Sequence, residues 1–194
     1  MHNIDGIILA AGLSKRMGVF KPLLPFGEKT IIETAIDAMS EATDIIYIIG
    51  GHKIERLYEA LQEYENIEIV ENESFHDGMF SSVRTGLRHV EADRFFLTPC
   101  DYPLVDKNVY NRLAQAEGEV ILPVHDGRSG HPVLIDSKFI KQILAMPKSA
   151  TLRDFIYNVK SKRVEVGTDA IYKDADYMED YHKLISGKAK DGKK

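Results

Sequence analysis

Apolar residues in this chain fall into two alternating patterns. One is the short continuous run that marks a strand buried on both faces, seen over residues 4–10, 44–49, 67–70 and 94–98. The other recurs every three or four positions and marks a helix with one buried side. Ile31, Ile32, Ala35, Ile36 and Met39 form such a stripe, with Glu33 and Asp37 on the opposite face. Thr30 and Glu33, at the head of the stripe, have the spacing of a reciprocal capping box. Helices are likewise predicted over 54–64 and 79–89. Strands that alternate with helices and are apolar on both faces predict an α/β fold, a mostly parallel central sheet with helices on both faces. Beyond Pro103 the pattern loosens. A helix over 107–116 precedes strands over 120–124 and 131–135, which flank a hairpin tip at Asp126-Gly127-Arg128-Ser129-Gly130. Helices over 137–146 and 151–159, a strand over 163–166 and a helix over 177–185 complete the prediction.

The length of 194 residues suits one domain, expected over 1–186, followed by a small, polar, basic and disordered tail over 187–194. A formal net charge of -5 lacks the broad basic face of a nucleic-acid binder, and no apolar stretch reaches the length of a membrane span. Neither nucleic acid nor a membrane is therefore expected as a partner. The opening MHNIDGIILAAG has no basic segment ahead of its apolar run and does not read as a signal peptide. One cysteine, Cys100, excludes an intrachain disulfide and a Cys-rich metal site and fits a reducing cytoplasm. It is expected to pack as a small apolar residue rather than to act as a nucleophile.

On this acidic chain Lys15, Arg16 and Lys21 gather around Gly12 and Gly18, directly behind the first strand. In open α/β sheets ligands bind beyond the carboxyl ends of the strands, where this loop lies. Gly12 lets backbone approach a ligand closely, Gly18 permits a turn that a side chain would forbid, and exposed N–H groups with three cations suit a polyphosphate. A Walker A loop does not fit, because an additional residue separates the glycines and Val19-Phe20 follows Gly18. The Gly-x-Gly-x-x-Gly fingerprint is absent too. The alternative is a solvated loop with incidental charges. Asp101, just past the fourth strand on the same sheet edge, either binds a magnesium ion facing that polyphosphate or begins a turn before Pro103.

The string LAAGLSKRMGVFKPLLP resembles the nucleotidyltransferase signature Leu-x-x-Gly-x-Ser-x-Arg-Met-Gly-x-x-Lys-x-Leu-Leu, in the version of the molybdenum-cofactor cytidylyltransferases, with the guanylyltransferases next. The likeness continues in order along most of the chain. It includes Asp77-Gly78-Met79-Phe80-Ser81-Ser82-Val83-Arg84-Thr85-Gly86-Leu87, Pro99-Cys100-Asp101-Tyr102-Pro103, Gly130-His131-Pro132-Val133-Leu134 and Asp174-Ala175-Asp176-Tyr177-Met178-Glu179-Asp180. The resemblance implies a Rossmann-like nucleotidyltransferase fold and Mg²⁺-dependent transfer of a nucleoside monophosphate. In that picture Leu9, Ala10, Ala11 and Gly12 hold base and ribose through the backbone. Ser14, Lys15, Arg16 and Lys21 complete the nucleotide site around the triphosphate, and Ser82 lies near the nucleotide. Arg16, Lys21 and Asp101 are the implied catalytic groups, and Asp101 with Asp176 the implied metal ligands, Asp174 being the rival of Asp176. Gly130 and His131 are assigned to the acceptor pocket.

The chain departs from the family pattern in two places. Pro99-Cys100 replaces a glycine before Asp101, and Tyr177-Met178 replaces Thr-Pro. Asp176 can then itself cap the last helix, with Glu179 completing a capping box, which competes with its role at a metal. His131 is equally readable as a core or surface histidine, His52 as a loop residue, and His76 and His89 as structural. The implied acceptor is a phosphate, with molybdopterin as the family's example, and a phosphate needs alignment rather than a strong base. CTP is favoured as donor because Ala10-Ala11-Gly12-Leu13 resembles the cytidylyl version of the loop. A sugar- or alcohol-phosphate nucleotidyltransferase is the rival enzyme, although its spacer before Pro-Lys is usually longer. A non-catalytic nucleotide-sensing domain is the other alternative, expected to lack groups such as Lys21 or Asp101.

Overall fold

The structure, a computed structural model, describes residues 3–14 and 17–191, with side chains up to residue 186. Strand β1 (Ile4–Leu9) runs up the middle of the sheet and is buried along its whole length. After a 3-10 turn at Lys21–Leu23, a small antiparallel hairpin, β2 (Pro25–Phe26) and β3 (Lys29–Thr30), leads into helix α1 (Ile31–Ser40). The expected capping box is present: Thr30 Oγ1 accepts from Glu33 N, and Glu33 Oε2 accepts from Thr30 N at 2.7 Å. Next come β4 (Ile46–Gly50), α2 (Ile54–Ala60), β5 (Ile67–Glu71), α3 (Met79–Leu87), β6 (Arg94–Pro99) and α4 (Lys107–Ala114). The remainder is β7 (Val120–His125), β8 (Arg128–Ser129), β9 (Val133–Asp136), α5 (Ile140–Ala145), α6 (Leu152–Tyr157), β10 (Lys162–Glu165) and α7 (Met178–Asp191).

The main sheet has the order β10-β7-β9-β6-β1-β4-β5, with β8 paired to β7. β1 is parallel to β4 and β6, β4 to β5, and β7 to β10, whereas β9 is antiparallel to both its neighbours. The mostly parallel α/β architecture is the one expected from sequence. Side-chain alternation divides the core cleanly. Ile8, Ile48 and Phe96 face α1, α2 and α4, while Ile7, Ile49 and Leu97 face α3, α5 and α6. Helices thus cover both faces, as the unbroken apolar runs require. A third cluster closes the molecule: Tyr181 and Leu184 of α7 pack with Phe26, Ile31 and Ala175, and Tyr181 Oη donates to Pro25 O at 2.6 Å.

Four expectations need correction. The β2–β3 hairpin was not anticipated; Gly27, at φ +74°, provides the left-handed position its two-residue turn needs. Helix α2 stops at Ala60 rather than 64, because the backbone leaves the helical region at Leu61, with φ -111° and ψ 12°. Strand β9 begins at Val133 rather than His131, since the His131 N–H is taken by Ile171 O at 2.8 Å. Finally, α7 runs from Met178 to Asp191, past the end expected at 185. No helix among the described residues is long and apolar enough to cross a membrane.

One buried acid braces the far end of β1. Asp5, 3% exposed, accepts from Glu91 N at 2.9 Å and Ala92 N at 3.1 Å, which holds the chain entering β6 beside β1. Asp5→Ala leaves two enclosed N–H groups unpaired and should cost about 1–3 kcal/mol in urea unfolding, with Asp5→Asn losing less. An unchanged midpoint would show that the brace is not needed.

Candidate functional site

The site lies at the carboxyl edge of β1, where the chain leaves Leu9 and folds back on itself. Ser14, at φ +49°, closes the loop twice. Its carbonyl accepts from Met17 N and Gly18 N, both at 3.1 Å, and its hydroxyl accepts from Lys21 N at 3.2 Å. Gly18 sits at φ +69°, in the left-handed region a turn-forming glycine allows. This double closure fixes the backbone of Lys21, whose side chain is largely buried. Lys15 and Arg16, expected in the triphosphate site, lie outside the described residues.

Lys21 Nζ donates to Asp101 Oδ2 at 2.9 Å and to Asp176 Oδ1 at 3.1 Å. Three residues distant in sequence thereby share one point. The register explains the first pair: β1 and β6 are parallel, with Leu9 opposite Pro99, so the segments leaving them emerge side by side. Asp176 arrives by a different route. Ala175 is fully buried in the third cluster, and its N–H donates to Asp101 O at 2.9 Å. Asp174 and Asp176 flank this buried alanine, and both bring a carboxylate to Asp101. Helix α7 begins at Met178, with Tyr177 O accepting from Tyr181 N at 3.1 Å, so the cap position falls on Tyr177.

Carboxylate oxygens of Asp101, Asp174 and Asp176 can all lie within 4.8 Å of one another. Asp101 Oδ1 is enclosed and has no hydrogen-bond partner. An orphaned carboxylate oxygen beside two further carboxylates is a donor set suited to a hard divalent cation. Burial first, then the charges of Asp101 and Asp176, holds the Asp174 carboxyl above the usual carboxylate range. Burial works against the Lys21 ammonium, but facing Asp101 and its hydrogen bonds to Asp101 and Asp176 outweigh it. Lys21 therefore titrates above an ordinary lysine and stays charged.

A cleft of about 390 Å³ opens from this cluster. One wall is the segment from Leu9 to Ser14, and the other carries Phe75, His76, Gly78, Met79 and Ser82. A Cβ built on Gly12 would meet nothing within 4 Å, so the packing of the chain does not itself demand glycine there. Gly78, at φ +95°, is needed for the turn into α3. Ser82 is buried on the first turns of α3 and is held by Asn72 Nδ2 at 2.9 Å. The sequence reading singles out neither Asn72 nor Phe75 and assigns His76 to structure, yet His76 lies on the cleft wall, its ring 4.0 Å from that of Phe75. Their one legible signal was position: they fall between the third strand and the Gly-Met motif.

Gly130 and His131 are not among the residues lining this cleft, although His131 lies close enough to Asp101 to feel its charge. Gly130 is a close approach: a Cβ there would sit 1.9 Å from Ile171 O. The His131 ring lies 5.0 Å from that of Tyr102, and its Nδ1 is enclosed without a hydrogen-bond partner. Burial pulls the imidazole down, only partly offset by Asp101 and a hydrogen bond to the backbone of Leu97. Cys100 is enclosed beneath the cleft, and burial pushes its thiol up to about 12, which leaves it a packing residue.

Comparison with known proteins adds an independent line. Residues 6–164 match the family described as the MobA-like NTP transferase domain. The chain is 30% identical over 182 residues to the molybdenum cofactor cytidylyltransferase of Escherichia coli (strain K12), covering 93% of this chain and 95% of that one. It is 29% identical to the molybdenum cofactor guanylyltransferase of Shewanella piezotolerans, over 68% of this chain and 65% of that one. Its fold matches a solved nucleotidyl transferase from Methanothermobacter with a TM-score of 0.85 at 21% identity, covering 96% of this chain and 98% of that chain. The chain belongs to the MobA-like NTP transferase domain family: it is a nucleotidyltransferase with molybdenum-cofactor cytidylyl- and guanylyltransferases among its relatives.

Proposed function

We propose that this chain transfers CMP from CTP to a phosphate-bearing acceptor of the molybdopterin type, releasing pyrophosphate, in the cytoplasm and with Mg²⁺. The observation that carries the reading is the single ammonium of Lys21 shared by Asp101 and Asp176, with Asp174 beside them, at the mouth of a cleft whose far wall carries two aromatic rings and no carboxylate, lysine or arginine. A triphosphate fits the charged end and a base the other. Mg²⁺ held by Asp101, Asp176 and Asp174 would supply charge neutralisation and alignment of phosphate oxygens.

The chain's own residues do the rest by position and charge. Gly12 leaves room for the nucleotide against the loop backbone, and Leu9, Ala10 and Ala11 frame the ribose and base. Ser14 pins the Lys21 backbone, so that the ammonium can exchange a carboxylate for phosphate oxygens without the loop moving. Lys15 and Arg16, inside the loop that Ser14 closes, add positive charge for the departing pyrophosphate. The acceptor enters from the side of Gly130 and His131 and, as a phosphate, is already anionic near neutral pH. Catalysis on this reading is alignment and electrostatic stabilisation of the transferring phosphoryl group. A sugar or alcohol phosphate acceptor remains the rival, and a panel of acceptors with CTP, GTP, UTP and ATP, followed by pyrophosphate release, separates them. CTP with a molybdopterin acceptor is expected to give the highest kcat/KM; a higher value with GTP or with a sugar phosphate would replace this assignment.

Lys21→Met should lower turnover about a hundredfold or more at saturating substrate, the scale of losing one charge-stabilising donor. Near-normal turnover would remove Lys21 from the reaction.

Asp101→Asn and Asp176→Asn should each raise the Mg²⁺ concentration needed for half-maximal activity. A silent Asp176→Asn would assign metal binding to Asp101 and Asp174 alone.

An aspartate ligates a metal as its carboxylate, and Asp174 protonates more readily than an ordinary aspartate. Half-saturating Mg²⁺ should therefore climb as pH falls toward the raised Asp174 pKa. Asp174→Asn should flatten that climb, and an identical pH profile in the variant would exclude Asp174.

A further inference from the structure

Asn72 follows β5 and is 2% exposed, yet it is tied on every side by hydrogen bonds. Its backbone N donates to Gly50 O at 2.8 Å and its carbonyl accepts from Phe75 N at 3.2 Å. Its side chain holds three more partners. Oδ1 accepts from Ser74 N at 3.0 Å, and Nδ2 donates to Ser81 Oγ at 2.8 Å and to Ser82 Oγ at 2.9 Å. The orientation of the amide is unambiguous, because a backbone N–H can only donate and must face the oxygen. Both amide hydrogens then point at the two serine hydroxyls.

Ser81 and Ser82 dispose of their own protons differently. The Ser81 hydroxyl lies within bonding distance of Ser74 O at 2.9 Å and Gly78 O at 2.8 Å, both on its own side of the turn. Ser82 accepts from Asn72, so its proton cannot point there, and no carbonyl or carboxylate among the described residues takes it. Ser82 lines the cleft. The surrounding wall, Phe75, His76, Gly78 and Met79, carries no carboxylate and no lysine or arginine, which suits a nucleobase rather than a phosphate.

We infer that Asn72 is a positioning residue that makes Ser82 a hydrogen-bond donor into the cleft, where it meets an acceptor atom on the base of the nucleotide. Cytosine presents two such acceptors, O2 and N3, next to its amino group. The inference rests on the CTP reading above: the polarity of one hydroxyl, set from behind by a buried amide, offers one donor that O2 or N3 of cytosine can accept. The same geometry predicts a reversal. A carboxylate at position 72 would accept from both serines, draw the Ser82 proton toward itself and leave only lone pairs facing the cleft.

The test uses the full-length enzyme with Mg²⁺ and CTP. Wild-type turnover is measured first; if it makes no pyrophosphate with CTP under any acceptor, the CTP reading fails and this inference is withdrawn with it. Given wild-type turnover, Asn72→Asp should raise KM for CTP about tenfold, the factor that 1.4 kcal/mol of a lost hydrogen bond represents, with a much smaller change in kcat. Ser82→Ala should raise KM comparably. In the Ser82→Ala background, Asn72→Asp should add nothing further, because its route to the base is gone. Thermal melting without nucleotide checks that each variant is folded. A folded Asn72→Asp with unchanged KM, or additive effects in the double variant, overturns the inference. Should Asn72→Asp not fold, Ser82→Ala alone decides: unchanged affinity for CTP in calorimetry overturns it, and a tenfold loss supports it.

Discussion

Three carboxylates do not gather in a half-enclosed place without a cation to hold them, and here Lys21 is that cation. Its ammonium spans Asp101 and Asp176, joining positions 80 and 155 residues away from it in the chain. Like charges at such distances repel strongly where water is partly excluded. The cluster therefore exists only because the loop behind β1 carries a lysine to it and holds that lysine's backbone through Ser14. The raised position of Lys21 and of Asp174 follow from the same balance: the first is held charged by its neighbours, the second is pressed toward neutrality by its own.

The sheet makes this meeting geometrically inexpensive. Parallel strands end on one edge, and the register of β1 against β6 brings the glycine-and-lysine loop and the Asp101 turn out together. The late acidic segment is not delivered by a strand. It is delivered by packing, with Ala175 buried between two aspartates and α7 seated on the β2–β3 hairpin. The cleft thus has one wall set by backbone hydrogen bonding and one corner set by hydrophobic contact. Its third boundary, beneath Phe75 and Ser82, depends on the buried amide of Asn72.

Much of this was legible in the sequence, for identifiable reasons. Continuous apolar runs located the strands, because strands buried on both faces leave no polar alternation to confuse them. Thr30 and Glu33 announced α1, since a capping box is local chemistry. The convergence of Lys21 and Asp101 on one edge followed from the parallel sheet. What stayed hidden was non-local or silent. The hairpin tip marked the pairing of β9 with β7, but the pairing of β9 with β6 has no sequence mark, and the start of β9 at Val133 depends on Ile171, some forty residues on. The β2–β3 hairpin did carry a signal, the Gly27-Glu28 pair, in a stretch too short for periodicity. Asn72 resembles any loop asparagine until its burial is known. The extra length of α7 runs through a polar, glycine-containing stretch, where propensity gives a helix little sequence mark.

The way α7 is fastened bears on how the acidic corner is held. Both walls of the cleft, Leu9 to Ser14 and Phe75 to Ser82, come from the first half of the chain, where β1, β4, β5 and α3 pack with one another. Asp174 and Asp176 come into place only once Ala175 is buried, and that burial uses Tyr181 and Leu184. Asp101, by contrast, follows β6 directly and takes its place from the sheet. Helix α7 therefore works as a latch on the charged corner of the cleft, fastening by apolar contact two carboxylates that no strand delivers.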